Sequence, residues 1–294
     1  MGVLARRPPA ALATTPNGET GAGAPTPTLP RKGEGLSRTN SMTENIGAQL
    51  AEIVEAAGAV ILPLWRTGLT VDTKTDQSPV TEADRRGELL ILERLAKAFP
   101  DIPVIAEEAS SADGVPLSIA KRFFLVDPLD GTKAFVRGEA HFTVNIGLIE
   151  DGVPAAGAVH APATGETWFT TAGGALKRQV GETGGAPVRV RPQGDKMLAL
   201  TSHTLKPEQY EALQAQYGIT DRQPMDSSVK LCIIAEGAAD IYPRHGTTME
   251  WDIAAGHAVL AAAGGSLTTP EGEPFVYGKA DEGFKNGWFV ARGG

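Results

Sequence analysis

Leu125-Val126-Asp127-Pro128-Leu129-Asp130-Gly131-Thr132 decides how this chain folds. With Phe123-Phe124 in front, an apolar strand delivers two aspartates and then a Gly-Thr turn. Pro128 fixes its own φ and pushes Asp127 into extended backbone. Asp127 is thus held at a strand end, and a tight turn brings Asp130 back beside it. Two carboxylates converging this way suit a hard cation, and magnesium prefers oxygen ligands while keeping positions open for water and phosphate. Gly131 lets the backbone approach a phosphate closely, and the N–H groups after it open a short helix whose start attracts anions. The same letters also fit a solvated turn with helix-capping aspartates, so acids elsewhere in the chain must decide.

Three further acidic sites lie outward from this stretch. Glu107-Glu108 follow the apolar strand Val104-Ile105-Ala106, so one can face a metal and the other solvent; a polar loop is the alternative. Asp84 follows Pro79-Val80-Thr81-Glu82-Ala83, where Thr81 and Asp84 have capping-box spacing, so a purely capping role stays open. Trp251-Asp252 opens the apolar run Ile253 to Ala263, where an acid also suits the helix dipole. Each signal alone is modest. Four acidic sites, each at a strand end or helix start, point together to a cation cluster.

The remaining chain is read as a mixed α/β protein without a regular βαβ alternation or an internal repeat. Ser41 and Glu44 have capping-box spacing, and Ile46, Leu50, Ile53, Val54, Ala57, Val60, Ile61 and Leu64 follow helical spacing. A loop is expected over Thr70 to Pro79 and a second helix from Thr81 to Ala98, ended by Pro100. Phe142 to Thr171 reads as hairpins, with turns at Glu150-Asp151-Gly152 and Pro162-Ala163-Thr164-Gly165. Met197 to Thr201 and Leu231 to Ala235 are strand candidates, although the second could start as a helix, and Ile253 to Ala263 is a helix stopped by Gly264-Gly265. We expect a disordered tail over residues 1–41, an N-terminal metal-binding unit over 42–159 and a C-terminal unit over 160–294 that completes the site. The tail is dense in Pro, Gly, Thr and Ala and cannot offset its ordering entropy. Met42 stands where the folded pattern begins, so an upstream mis-assigned start is the expected origin of the tail.

Composition excludes several function classes. With 294 residues, 41% of them hydrophobic, the chain can bury a sizeable core. No stretch approaches 18 uninterrupted apolar residues, so no transmembrane segment is expected. A formal net charge of −8 argues against a nucleic-acid polymer as partner. An acidic protein that handles an anionic substrate needs bound cations to invert its local field. The single cysteine, Cys232, lies in an apolar run and is expected to be buried and inert, which fits a reducing cytoplasm.

In this order, Glu107-Glu108, Asp127 to Thr132 and Trp251-Asp252-Ile253-Ala254-Ala255-Gly256 resemble the inositol monophosphatase superfamily of lithium-sensitive, magnesium-dependent phosphatases. The resemblance spans about Ile46 to Phe289. Within the superfamily the chain looks like the CysQ-type 3′(2′),5′-bisphosphate nucleotidases, through Ser78 to Asp84, Thr143-Val144-Asn145-Ile146, Ser227-Ser228-Val229-Lys230 and Tyr242-Pro243-Arg244. It implies a layered αβαβα sandwich of the inositol monophosphatase and fructose-1,6-bisphosphatase type, with the site between subdomains. It also implies two magnesium ions and a weaker third, inhibition by lithium, and a cytoplasmic location with peripheral attachment at the inner membrane. Glu107, Asp127 and the Leu129 carbonyl would hold the first ion, Asp127, Asp130 and Asp252 the second, and Glu107 with Asp84 the third. Thr132 with Glu107, or Thr81 with Asp84, would orient the attacking water. Lys133-Ala134 departs from relatives that carry an acid at the second position.

The resemblance implies a small phosphorylated substrate, adenosine 3′,5′-bisphosphate, cleaved to AMP and phosphate. Its second phosphate would meet Ser227, Lys230 and Arg244, and His203 would touch the nucleoside. Glu107, Leu129, Asp130, Gly131, Thr132 and Asp252 would contact the phosphate being cleaved. An inositol-phosphate or sugar-phosphate phosphatase is the alternative inside the superfamily, and a metal-binding regulatory protein without turnover is the alternative of another class. A nucleic-acid-binding module is disfavoured by the charge. Oligomeric state is not encoded in any of these features.

Overall fold

The computed structural model describes residues 34–67, 71–73 and 79–294. Helix α1 (Glu34–Ile61) is followed by a short antiparallel hairpin, β1 (Val71–Thr73) and β2 (Pro79–Thr81), and by α2 (Glu82–Ala98). Strand β3 (Val104–Ala106) leads into α3 (Glu107–Asp113), and β4 (Arg122–Asp130) into α4 (Thr132–Val136). A meander follows: β5 (Thr143–Glu150), β6 (Val153–Ala161), β7 (Glu166–Thr171), β8 (Gly174–Gln179) and β9 (Ala186–Val188). The second half comprises β10 (Leu198–Thr201), α5 (Pro207–Tyr217), β11 (Asp221–Pro224), α6 (Val229–Ala235), β12 (Ile241–Arg244), β13 (Thr248–Met249), α7 (Glu250–Ala262), β14 (Ser266–Thr268), β15 (Lys285–Asn286) and β16 (Phe289–Arg292).

Two mixed sheets organise the molecule. The first has seven strands in the order β3-β4-β5-β6-β7-β8-β9, parallel only between β3 and β4. The second has five in the order β11-β10-β12-β16-β14. Strand β4 shows why the first is buried on both faces. Its period of two sends Phe124 and Val126 towards α1 and α2, and Phe123 and Leu125 towards α6 and α7. Each such side chain contributes about 1.5–3 kcal/mol of burial. Helices α6 and α7 fill the space between the sheets, and Leu213 of α5 packs on the outer face of the second, against Ala199 and Ile241. The resulting layers are α1/α2, first sheet, α6/α7, second sheet, α5, the αβαβα order that the resemblance implies.

Several expectations are corrected. Helix α1 starts at Glu34, so Ser41 lies inside it rather than at its cap. No proline interrupts the chain between Pro30 and Pro63, so nothing in the backbone stops the helix at residue 41. Of the tail expected over 1–41, residues 1–33 lie outside the described residues. The loop expected over Thr70 to Pro79 carries β1 and the start of β2, and its residues 74–78 lie outside the described residues. For the run Leu231 to Ala235 the helical alternative holds over the strand, in α6. The boundary expected near Val159 falls inside β6; the first sheet runs on to Val188, where hydrogen-bonded pairing ends. Finally, Ile46–Leu64 is long and apolar enough to cross a membrane by length and composition, with mean hydropathy 1.4, although polar residues interrupt it. Half of it is buried here, with Leu50, Val54 and Ile61 packed on the sheet, as in an amphipathic core helix.

Candidate active site

The bulge between β4 and β5 makes the site. Asp127 pairs with Asn145 and Asp130 with Thr143, so three steps along β4 oppose two along β5. Pro128, which cannot donate to the ladder, lies in this irregularity. The Leu129 N–H folds back to Asp127 Oδ1 at 2.9 Å and fixes that carboxylate. Gly131 then takes φ +90°, and a Cβ there would meet the His141 carbonyl oxygen at 2.6 Å. A left-handed turn with no space for a side chain is the local reason for glycine, and it opens α4 as expected.

The acids from other elements arrive by helix starts. Thr81 caps α2, and its N–H and Oγ1 both donate to Asp84 Oδ2, at 2.7 and 2.6 Å. The other oxygen of Asp84 accepts from Thr132 Oγ1 at 3.2 Å, while Leu129 O offers the same hydroxyl an alternative acceptor at 3.0 Å. The capping reading of Asp84 therefore holds, and the same carboxylate also joins Thr132. Glu107 opens α3, which is helical rather than a polar loop. Glu88, one turn beyond Asp84 on α2, caps α3 by accepting the N–H groups of Glu108 and Ala109, each at 2.8 Å. Asp252 sits in the first turn of α7 and accepts the Met249 N–H at 2.8 Å. It reaches the cluster because α7 lies very close to the first sheet. Gly147 and Gly157 pair across β5 and β6, and Cβ atoms there would meet Ala254 Cβ at 2.8 Å and Ala255 O at 2.7 Å.

Glu107, Asp127, Leu129, Asp130, Gly131, Thr132 and Asp252 line one cavity of about 640 Å³ together with His203, Ser227, Lys230 and Arg244. Thr81 and Asp84 stand behind this wall, joined to it through Thr132. Burial raises the pKa of Asp127, with further contributions from the charges of Glu107, Asp130 and Asp252. Burial likewise raises Asp252, helped by Asp130 and Glu107, and pushes Asp130 up to about 6 against the pull of Lys230. These carboxylates raise one another's pKa, so a cation among them is favoured. Among the described residues no group of three or more acidic, histidine or cysteine side chains closes into a metal cage. Magnesium does not need one: it retains waters and binds through one or two carboxylates plus substrate phosphate. The all-oxygen donor set fits it.

The opposite wall is cationic. Lys230 is buried, which lowers its pKa to about 8, and its Nζ donates to the carbonyls of Ser227 (2.6 Å) and Met225 (3.2 Å). Two of its three N–H groups are thus used by the loop, and one is left for a ligand. Among the described residues Arg244 makes one long bond, Nη2 to Thr247 O at 3.4 Å, and its buried Nε has no acceptor. Ser227 holds φ +62°, a left-handed conformation uncommon for a residue with a side chain. His203 stands at the exposed rim, 3.4 Å from Asp226, which Arg137 also holds at 2.8 Å. Sequence reasoning missed Glu88, Arg137, Asp226 and the buried Thr143, Asn145 and Ser228. Of these only Thr143 to Ile146 and Ser227 to Lys230 carried a signal, as parts of the family match without a role.

A model of the inositol monophosphatase family matches residues 42–290, and the chain belongs to that family. It is 38% identical over 231 residues to the 3′(2′),5′-bisphosphate nucleotidase CysQ of Escherichia coli O157:H7, covering 78% of this chain and 92% of that one. The protein of the same description from Buchnera aphidicola is 34% identical over 259 residues, 86% and 95% of the two chains. Among solved structures, CysQ from Bacteroides thetaiotaomicron matches with a TM-score of 0.68 at 30% identity, covering 86% of this chain and 97% of that one. An inositol monophosphatase from Anabaena matches with a TM-score of 0.66 at 25% identity, covering 86% and 92%. The family is generally metal-dependent.

Proposed function

We propose that the chain hydrolyses adenosine 3′,5′-bisphosphate to AMP and inorganic phosphate, with magnesium ions held by Glu107, Asp127, Asp130, Asp252 and the Leu129 carbonyl, and a weaker one near Asp84. One observation carries the substrate assignment: a single cavity has carboxylates on one wall and, on the other, Lys230 and an Arg244 whose buried Nε–H lacks an acceptor among the described residues. A ligand with two phosphates spans such a cavity, one on each wall. Magnesium at the acidic wall would lower the pKa of a water and neutralise charge on the phosphoryl group. When the Thr132 hydroxyl donates to Asp84, its lone pairs are free to accept a hydrogen bond from the attacking water. Asp84, fixed by Thr81, then becomes the sink for that water's proton. Lithium is expected to compete at the same oxygens. The chemistry supports a place in the disposal of a by-product of sulfate assimilation. A cytoplasmic location is part of the proposal and fits the buried thiol of Cys232.

The test compares phosphate release from adenosine 3′,5′-bisphosphate and from inositol 1-phosphate, each with and without magnesium. We expect magnesium-dependent release and a strong preference for the nucleotide. Arg244→Ala should cost about 1.5–3 kcal/mol in kcat/KM for the nucleotide, the scale of a hydrogen bond to a charged group, and little for a substrate with one phosphate. Equal losses on both substrates would remove Arg244 from the second phosphate site. Preference for inositol 1-phosphate would replace the assignment.

A further inference from the structure

Behind the two aspartates of the bulge lies a closed ring of buried polar side chains. Asn145 Nδ2 donates to Thr143 Oγ1 at 3.3 Å, Thr143 Oγ1 lies 2.9 Å from Ser228 Oγ, and Ser228 Oγ donates to Asn145 Oδ1 at 2.6 Å. All three residues are buried. The protons can run one way round: Asn145 to Thr143, Thr143 to Ser228, Ser228 back to Asn145. Each hydroxyl then donates once and accepts once, the arrangement in which such bonds strengthen one another. A buried polar cluster costs desolvation, so its place in the interior needs a reason.

Its position supplies one. Asn145 is the ladder partner of Asp127, and Thr143 is the ladder partner of Asp130. The third member, Ser228, precedes α6 and gives its backbone N–H to Asp130 Oδ2. Lys230, two residues on, ties down the same loop through the carbonyls of Met225 and Ser227. The ring therefore joins the bulge from one half of the chain to the loop from the other, and that loop orients Asp130. We propose that Thr143, Asn145 and Ser228 act as positioning residues that hold Asp130 in the orientation that binds magnesium. The inference rests on the magnesium chemistry proposed above. Outer partners of metal ligands commonly set affinity by about 10–100-fold.

Thr143→Val removes one hydroxyl at nearly constant shape and opens the ring. Magnesium is titrated calorimetrically into full-length wild type and variants, and metal-free melting temperatures and phosphate release are measured beside it. The magnesium Kd of Thr143→Val should rise by about 10–100-fold. Turnover at low magnesium should fall by a similar factor and recover as magnesium is raised, with KM for the nucleotide unchanged at saturating metal. Thr143→Ser keeps the hydroxyl and should bind like wild type. Leu213→Ala, in the apolar cluster under α5, should lower the melting temperature without moving the Kd. If Thr143→Val does not fold, Ser228→Ala opens the same ring from the other half and is measured identically. A Kd equal to that of wild type, or a shift that Leu213→Ala reproduces, overturns the positioning role while leaving the proposed function intact. A wild type that binds no magnesium overturns both.

Discussion

Asp130 carries two opposing demands. Burial and the charge of Glu107 push its pKa up to about 6, while Lys230, the Ser228 N–H and Arg244 pull it down. In the metal-free protein its folded pKa lies above the unfolded value. Its contribution to stability is therefore fully present below about pH 4 and is lost as pH rises through about 6, on the order of 3 kcal/mol. Asp130→Asn should flatten that part of the stability–pH curve and leave the metal-free fold as stable as wild type, or more so. The same change should weaken magnesium binding and lower turnover by more than about 100-fold, beyond the loss typical of an outer partner. Melting curves from pH 4 to 8, titration calorimetry and a phosphate assay check these outcomes together. Unchanged magnesium affinity with near-normal turnover would remove Asp130 from the cluster. The residues of this wall were legible because strand, Pro128, both aspartates and Gly131 lie within one short segment. The ring of Thr143, Asn145 and Ser228 was not, because its bonds close across more than eighty positions of chain. Glu88 was hidden for another reason: a helical glutamate that caps a different helix looks like surface charge until the two helices meet.

Among the elements, α7 depends most on what faces it. It bears Asp252 and lies on a patch of sheet that Gly147 and Gly157 leave bare. Gly157→Ala places a methyl group 2.7 Å from the Ala255 carbonyl, so the helix must lift. We expect a loss of about 1–3 kcal/mol, the usual cost of overpacking, together with weaker magnesium binding as Asp252 withdraws. Thermal melting with and without magnesium separates the two effects, and a variant with wild-type values for both would show that the contact relaxes freely. The start of α7 could be read from its acid and apolar run, but the bare patch could not, since a glycine in a strand reads only as a weak position. Helix α6 shows the converse. Leu231-Cys232-Ile233-Ile234 is a short apolar run of the kind that periodicity cannot assign. It is helical because it fills the space between two sheets, where Leu231 packs against Gly256 of α7.

At the scale of the whole molecule, the first packed residue of α1 whose side chain is described is Ile46, and the face it begins continues through Leu50, Val54 and Ile61. A chain begun at Met42 should keep that face, fold, and turn over like the full-length protein, although it loses the turns from Glu34 to Ser41. Melting temperature and phosphate release of the two chains decide this; a large fall in either would show that the earlier turns contribute. The layer order followed from the resemblance, but the division at residue 159 did not survive, because alternation inside β6 looks the same on both sides of that point. The connection between the two sheets, from Arg189 to Lys196, is largely exposed and forms a seam between two units that share α7. Helix α7 belongs by chain to the second unit yet covers one face of the first sheet. A backbone break at the seam would leave neither fragment with a closed interior, so each would act as the other's missing half, and the nicked pair would be held together by the same surfaces that assemble the intact chain.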